Sequence, residues 1–191
     1  MKARAQLNEP APRRFTVAEF EQMGVAGIFP EGDRVELIRG EIIEMVPIGS
    51  GHSGRVARLT RAFILRLGER VHLSAQNPAV LADDTEPQPD IVLARPRVDD
   101  YTKSHPTPAD ILLLIEVAES SARYDRQTKA PLYAAVGIAE YWIVDLRAEV
   151  IEVHRQPGPE GYGEVVRRAR GEFVAPLAFP ECGLSVEEIL R

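Results

Sequence analysis

The sequence predicts a mixed fold of the α/β (α+β) class, in which helices flank one mixed sheet. Three observations lead to this class: an amphipathic helical stretch over residues 52–72, a short apolar run over residues 111–118, and two adjacent strand patterns over residues 141–155. The predicted order is helix, three strands, helix and further strands, with no repeat and no internal boundary. We therefore expect a single domain over residues 15–191, preceded by a flexible N-terminal arm over residues 1–14.

The composition is that of an ordinary globular protein and narrows the possible functions. The net charge of −6 argues against sequence-independent nucleic-acid binding driven by counterion release, although a local basic groove or a metal-mediated phosphate contact remains open. The single Cys182 excludes an internal disulfide and a thiolate metal cluster. No apolar stretch approaches the ~20 residues that cross a bilayer, and no apolar leader is present, so we expect a cytoplasmic protein without membrane contact.

Local signals predict the first elements. Thr16 and Glu19 form a capping-box pattern, which predicts a short helix that ends near Gly24. Residues 34–46 then alternate around the pair Arg39-Gly40. This pattern predicts two strands joined by a tight turn.

The helix of residues 52–72 carries two stripes. Its apolar stripe, which should face the core, comprises Val56, Thr60, Phe63, Leu67 and Val71. Its basic stripe comprises Arg55, Arg58, Arg66 and Arg70. A charged stripe normally faces solvent, and contact with DNA is the alternative, because this is the strongest basic patch in the sequence. Ser50 precedes the helix in a glycine-rich turn and is a candidate N-cap.

Strands and one further helix follow. Three strands are predicted near residues 79–81, 90–94 and 111–118. A helical stretch over residues 123–136 should end at Gly137, and its internal Pro131 makes a loop followed by a helix the alternative. The remaining elements are two paired strands over residues 141–146 and 149–155, and a closing helix from Ser185.

Two carboxylates occupy strand positions that packing alone does not explain. Glu116 shares a strand face with Leu112 and Leu114, and Asp90 opens its strand after Pro89. A carboxylate beside apolar positions is costly unless it is paired, hydrogen-bonded or bound to metal. If the two strands are neighbours, Asp90 and Glu116 converge as an oxygen-only pair suited to Mg²⁺ or Mn²⁺. The alternative is that both mark strand ends and reach water.

Lys129 and Glu36 are further candidates. Asp125 lies four residues before Lys129, so on a helix the two would form an ordinary surface ion pair. In the functional alternative, the Lys129 ammonium lies beside the metal and orients a water or stabilises charge on a phosphorane. Glu36 lies between Val35 and Leu37, so strand alternation predicts that it points to solvent. It becomes a site residue only if the hairpin edges the same cleft.

Several catalytic motifs are absent from the sequence. The four histidines show no zinc-ligand spacing, and there is no nucleophile elbow, P-loop or dinucleotide fingerprint. Tyr141 and Trp142 could stack on bases, but aromatic residues in a buried strand normally belong to the core. The carboxylates and Lys129 therefore remain the main candidates.

The order and spacing of these residues resemble the Uma2 family of bacterial proteins, formerly DUF820. The resemblance runs over residues 16–190 and rests on VELIRGEIIEM, on His52 at a helix start, on PQPDIVL, on ILLLIEVAESS, and on the run from Asp125 through Lys129, Tyr133 and Glu140 to Asp145. Each segment alone is weak, whereas their order is specific. The family is placed in the PD-(D/E)XK, or restriction-endonuclease-like, superfamily. The resemblance therefore implies an αβββαβ core, here preceded by a β-hairpin, and a divalent-metal phosphodiesterase site.

The resemblance also implies roles for individual residues. Asp90 matches the aspartate of the PD motif and Glu116 the acidic residue of the second motif, and both would hold Mg²⁺ or Mn²⁺ together with the backbone carbonyl of Val117. The motif lysine is expected at position 118, where this chain has Ala118. Uma2-like sequences move that lysine into the following helix, and Lys129 occupies the corresponding place.

The implied activity is that of a metal-dependent endonuclease acting on nucleic acid, with DNA as the expected polymer. Glu36 matches the family's N-terminal glutamate, which is an extra metal ligand or a group that supports the ligands. A homodimer is consistent with this activity, since many nucleases of the superfamily act as pairs. The alternatives are a hydrolase of a smaller phosphate ester and a non-catalytic binding or assembly module. The net charge and Ala118 favour the module, and the intact set of acidic residues and Lys129 counts against it.

Overall fold

The computed structural model describes residues 10–191, so residues 1–9 of the predicted arm lie outside the described residues. Residues 10–14 contain no helix or strand. The chain joins the domain at Phe15, whose N–H donates to the Gly40 carbonyl at 3.0 Å. Across the described part of the chain, no helix combines the length and the apolar character that a membrane crossing requires.

The first helix forms where its capping signal predicts. Helix α1 spans Val17–Val25 and has Thr16 as its N-cap. The Thr16 hydroxyl accepts the Glu19 N–H at 3.2 Å, and the Glu19 carboxylate accepts the Thr16 N–H at 3.0 Å. This reciprocal pair satisfies two N–H groups that the helix leaves unpaired and so defines where the helix begins.

The predicted hairpin is also present. Strands β1 (Val35–Ile38) and β2 (Glu41–Glu44) pair antiparallel. Arg39 and Gly40 between them have φ angles of 50° and 76°. Two consecutive positive φ angles are typical of the hairpin turn whose twist matches that of the flanking strands.

One sheet forms the centre of the described residues. Its six strands are β3 (His72–Ala75), β4 (Ile91–Ala94), β5 (Ile111–Ala118), β6 (Glu140–Asp145), β7 (Val150–Gly158) and β8 (Gly161–Ala169). They lie side by side in chain order, and β5–β6 is the parallel pair among otherwise antiparallel neighbours. A parallel pair needs a crossover connection, which the helical segment between β5 and β6 supplies.

Helix α2 (Ser50–Leu67) covers one face of this sheet, and its apolar stripe packs against Trp142 of β6. The predicted end of the helix at residue 72 is wrong. Gly68 adopts a φ of 51° and ends the helix, and the chain from His72 already belongs to β3. The apolar spacing continues past Gly68, which is why the pattern alone extended the helix too far.

The predicted strand near residues 79–81 is wrong, and β3 is the strand that pairs with β4. Residues 79–81 are largely buried but lie outside any regular ladder. The Ala79 N–H donates to the Pro87 carbonyl at 3.0 Å. Because Pro87 has no N–H to return, a strand ladder cannot continue there.

The crossover from β5 to β6 is continuously helical over residues 122–135. It consists of α3 (Ala122–Tyr124), a π-helical turn (Asp125–Lys129) and α4 (Ala130–Ala135). The Ala130 N–H donates to the Asp125 carbonyl five residues back, directly before Pro131, which has no N–H. The irregular turn thus lies where the α-helical ladder is already interrupted. The alternative of a loop followed by a helix is therefore wrong.

The sheet is covered on both faces. Helix α2 and the C-terminal helix α5 (Val186–Leu190, with Ser185 as N-cap) pack on one face, and α4 packs on the other. Strands β9 (Phe173–Val174) and β10 (Leu184–Ser185) form a short separate pair. Tyr141 and Trp142 are fully buried core residues, as expected. The predicted αβββαβ core is confirmed, and its elements are, in order, α2, β3, β4, β5, the α3–α4 segment and β6. Because side chains alternate along β5, Glu116 points to the face of the sheet that α4 covers.

The arginines of the basic stripe are exposed or half-buried, and each contacts another part of the chain. Arg66 and Arg70 form ion pairs with Glu188 and Glu181, and Arg55 and Arg58 donate to the main-chain carbonyls of Leu190 and Arg191. Two of the four charges are therefore paired within the chain, and the other two guanidinium groups have donors engaged by carbonyls.

Candidate active site

The candidate active site lies where β4 begins and β5 ends. Ile91 and Ile115 are partners in the antiparallel β4–β5 pair, so Asp90 lies beside Glu116 and Val117. The Val117 N–H donates to Asp90 Oδ2 at 2.8 Å. Only 4% of Asp90 and 5% of Glu116 are exposed. The two carboxylates converge, and neither reaches water at a free strand end.

Lys129, at the end of the π-helical turn, points into this site. Its Nζ lies 2.8 Å from Glu116 Oε1 and 3.1 Å from Glu36 Oε2. Asp125, the partner expected on a helix surface, is itself buried and accepts the Ser121 hydroxyl at 2.8 Å. The predicted surface ion pair is wrong, because the π turn replaces the α-helical spacing on which that pair depended.

Glu36 faces the same cleft and is only 1% exposed, so the prediction that it points to solvent is wrong. The hairpin is held over the site by backbone hydrogen bonds in both directions between Leu37 and Glu86, at 3.1 Å and 2.7 Å. The next segment contributes as well, since the Gln88 N–H donates to Glu36 Oε2 at 3.2 Å. The hairpin therefore edges the cleft and makes Glu36 a residue of the site. The acidic cluster comprises Glu36, Asp90, Glu116 and Asp125.

Two residues of the site were not predicted to take part in it. His52, in the first turn of α2, has its Nε2 2.8 Å from Asp90 Oδ2. The Tyr133 hydroxyl donates to Glu116 Oε1 at 3.0 Å. A signal existed for Tyr133, because it lies four residues after Lys129 and thus on the same side of a helix. For His52 the family resemblance marked the position at a helix start, but its link to Asp90 depends on how α2 packs on the sheet.

The start of α2 differs from the prediction in one detail. Gly49 is the N-cap, and Ser50 is already helical and makes no capping hydrogen bond. Glu119 lies close by, and its Oε2 would be 3.1 Å from a Cβ placed on Gly49. The candidate cap Ser50 is therefore wrong, and an acidic residue from the end of β5 lies against the helix start instead.

Burial and the surrounding charges shift the pKa values of Glu116, Asp125 and Lys129. Burial raises the pKa of Glu116, against the opposing ammonium of Lys129, and the other three carboxylates raise it further. Burial also raises the pKa of Asp125 to about 6. For Lys129, burial alone would lower the pKa, but the surrounding carboxylates outweigh it and raise the value. Lys129 is therefore a cation at neutral pH, and it faces more acidic groups than it can neutralise.

The cluster opens into a cavity of about 390 Å³. Apolar side chains of the loop between β2 and α2, including Val46, Pro47 and Ile48, form part of its wall. Arg34 and Tyr124 also line it. Burial raises the pKa of Tyr124 to about 12, so its hydroxyl remains protonated at neutral pH. The cavity is thus acidic at its base and carries hydrogen-bond donors and apolar groups on its walls.

The oxygen donors of the site suit a hard divalent cation, because carboxylates outnumber ammonium groups. Glu116 Oε2 takes no part in a hydrogen bond among residues 10–191, and Asp90 Oδ1 has only a long contact, 3.4 Å, with Gln76 Nε2. Over the same residues, no group of three or more His, Cys, Asp or Glu side chains is arranged to hold a metal ion. A divalent ion at this place would therefore have at most two of these side chains as ligands and would complete its coordination with main-chain oxygens and water, several of which Mg²⁺ commonly keeps.

Comparison with known proteins places this chain in a family and its fold beside that of a solved structure. A family model named Uma2, with the description "Putative restriction endonuclease", matches residues 17–187. The chain is similar to the crystal structure of "a putative nuclease belonging to DUF820" from Anabaena variabilis, with a TM-score of 0.72 and 18% identity over 92% of this chain and 97% of that one. At this identity the likeness concerns the fold, and no curated protein matches the sequence. Since the family match covers nearly the whole chain, the protein belongs to the Uma2 family.

Proposed function

We propose that this Uma2 protein is a divalent-metal-dependent endonuclease that hydrolyses phosphodiester bonds of nucleic acid, with DNA as the expected substrate. One observation carries the proposal: the charged Lys129 lies 2.8 Å from Glu116, beside Asp90, at the base of a cavity. The descriptions of the family and of the similar structure support the same class of reaction.

Asp90, Glu116 and the main-chain carbonyl of Val117 would hold Mg²⁺ or Mn²⁺. The chemistry that such an ion supplies is Lewis acidity, which lowers the pKa of water and polarises a phosphoryl oxygen. The protein orients the carboxylates for this purpose. His52 and the Val117 N–H both contact Asp90 Oδ2 at 2.8 Å and so fix the plane of that carboxylate.

Lys129 supplies positive charge next to the reacting phosphate. An ammonium group has three N–H donors, and among the described residues one of them donates to Glu116, while Glu36 lies 3.1 Å from Nζ as an ion-pair partner. A remaining donor can hold the attacking water or a phosphoryl oxygen, where it offsets the charge that develops on the phosphorane. Glu36 and Tyr133 act as positioning residues, because they hold the Lys129 and Glu116 side chains in place.

The position of Lys129 also bears on the non-catalytic alternative. Ala118 stands where the superfamily pattern has a lysine. The Lys129 ammonium reaches the Glu116 carboxylate from the following helical segment, so a lysine is available at the site despite Ala118. This contact supports an enzyme over a binding or assembly module.

The test is cleavage of circular single-stranded DNA and of supercoiled plasmid by the purified protein, with Mg²⁺, Mn²⁺ or EDTA. The Asp90→Ala variant is compared with Asp83→Ala, which changes an exposed aspartate outside the site. We expect cleavage that requires metal, is retained in Asp83→Ala and is lost in Asp90→Ala. Calorimetry on the same samples completes the test. A protein that neither cuts either DNA nor binds a divalent ion would be assigned to the binding-module class.

A further inference from the structure

The depth of the site restricts which form of nucleic acid can reach it. Glu36, Asp90, Glu116 and Lys129 are each at most 5% exposed. Their access to solvent is a cavity of about 390 Å³, roughly the size that encloses one small ligand such as a nucleotide unit. A phosphodiester must therefore reach the base of this partly open cavity to contact the four residues.

Duplex DNA is poorly suited to such an entry. It is stiff over about 150 base pairs, and its paired strands keep each phosphate on the outside of a regular helix. Extracting one nucleotide from the duplex costs unpairing and unstacking free energy. Proteins that bind a duplex offset such costs with cationic contacts to phosphates on both strands. In this protein the arginines of the basic stripe already bind Glu188, Glu181 and C-terminal carbonyls.

The cavity wall nevertheless has donors for one phosphate. Among the described residues, Arg34 Nη2 and the Tyr124 hydroxyl are buried polar atoms without a hydrogen-bond partner, and both residues line the cavity. Buried donors are normally satisfied, so a guanidinium nitrogen and a hydroxyl that lie unpaired in the wall of one cavity favour an anionic ligand, which each donor meets after a rotation of its side chain towards the cavity. The apolar wall of Val46, Pro47 and Ile48 offers a surface for a base or sugar.

We propose that the cavity admits a single flexible strand of nucleic acid and excludes a continuous duplex, with Arg34 and Tyr124 donating to phosphate oxygens of that strand. This inference rests on the proposed function for its chemistry, but the binding of the strand is a separate property. An unpaired strand bends at every nucleotide and can place one phosphate at the base of the cavity. Its exposed bases can also contact the apolar wall without prior unpairing.

The test compares one fluorescein-labelled oligonucleotide as a single strand and as a duplex with its complement. Cleavage is measured with Mg²⁺ or Mn²⁺ on denaturing gels, and binding is measured by anisotropy with Ca²⁺, which keeps a divalent charge at the acidic base of the cavity. We expect the duplex to be cut at least about tenfold more slowly, because of its unpairing cost. We expect Arg34→Gln and Tyr124→Phe each to weaken single-strand binding, with about a tenfold loss for Arg34→Gln as a charge-assisted hydrogen bond is removed. Arg61→Gln, at an exposed position of α2 outside the cavity, is the matched control and should bind as the unchanged protein does.

The outcomes separate this inference from the proposed function. Equal or faster cleavage of the duplex would overturn the single-strand inference and leave the nuclease intact. Arg34-dependent binding of the single strand without cleavage of either form would overturn the nuclease and support the inference. Equal losses in Arg34→Gln and Arg61→Gln would also overturn the inference, because general charge would then explain the binding. Melting curves of each variant establish that it is folded, and Arg34→Lys provides a variant that keeps the charge.

Discussion

Lys129 Nζ lies 2.8 Å from Glu116 Oε1, with the two side chains 3% and 6% exposed. An ion pair in this environment has lost most of its hydration, so each partner depends on the other for its charge. The pair joins the helical crossover to β5 and thereby links the fold to the site. Substitution of one partner should therefore affect stability as well as activity.

Replacement of Lys129 by Met should destabilise the protein by about 3 to 5 kcal/mol, because it leaves buried carboxylates without a compensating cation. The double variant Lys129→Met/Glu116→Gln should recover part of that loss, since it also removes one buried charge. Urea unfolding at neutral pH measures both effects. Lys103→Met changes an exposed lysine and should unfold as the unchanged protein does. If Lys129→Met matched Lys103→Met in stability, the ion pair would have no structural role.

Loss of the His52 side chain should weaken metal binding while the fold is retained. His52 contacts Asp90 Oδ2 at 2.8 Å and holds that carboxylate in one orientation. Removal of a group that orients a metal ligand typically costs about 10- to 100-fold in metal affinity. Calorimetric titration with Mn²⁺ of His52→Ala measures this loss, and His105→Ala serves as the control outside the site. An unchanged Mn²⁺ affinity in His52→Ala would contradict the positioning role.

Gly40 in the hairpin turn should not tolerate alanine. A Cβ there would lie 2.7 Å from Arg14 Cβ and 3.0 Å from the Phe15 carbonyl oxygen, and the φ of 76° is also unfavourable for alanine. Gly171 has a similar φ of 90° but open space around its Cα. Gly40→Ala should therefore cost about 1 to 3 kcal/mol more than Gly171→Ala, as close packing adds to backbone strain. Equal unfolding free energies for the two variants would show that the turn can adjust its structure to accommodate the extra methyl group.

Glu86 should make stability depend on pH. Burial, with the charge of Glu21, raises the pKa of Glu86 from its ordinary value of 4.5 to about 7. The folded state then holds the proton more tightly than the unfolded state. The contribution of this group to stability is therefore complete below pH 4.5 and is lost as the pH rises towards 7.

The Glu86→Gln variant stays neutral and should escape this loss. Its unfolding free energy should match that of the unchanged protein near pH 4.5 and exceed it above pH 7. Urea unfolding at several pH values measures the difference, and Glu160→Gln at an exposed position controls for the change in net charge. A constant difference across the pH range would exclude Glu86 as the titrating group.

Local signals predicted much of the fold. The capping box of Thr16, the turn at Arg39-Gly40 and the apolar strand Ile111–Ala118 all lie where the sequence indicates. The predicted elements were wrong where apolar residues continue beyond the end of a helix or occur in a segment that forms no strand. The long helix ends at Gly68, and a proline-rich segment replaces the strand expected near residues 79–81.

The candidate residues themselves could be named from the sequence, because a carboxylate or an ammonium among apolar positions requires a partner. Asp90, Glu116, Lys129 and Glu36 were all identified in this way or by family resemblance. The surroundings of these four side chains could not be predicted from the sequence. Alternation predicted that Glu36 faces water, and helical spacing predicted that Lys129 pairs with Asp125 at the surface.

The sequence by itself thus determined the fold class, the order of the elements and the acidic and basic residues available for chemistry, because these depend on periodicity and on contacts between near neighbours. The tertiary structure decided which of them meet. The π turn directs Lys129 towards Glu116, the bridge from Leu37 to Glu86 brings Glu36 over the cleft, and packing of α2 brings His52 to Asp90. These contacts join residues far apart in the chain. Their geometry follows from the packing of whole elements, which no local pattern encodes.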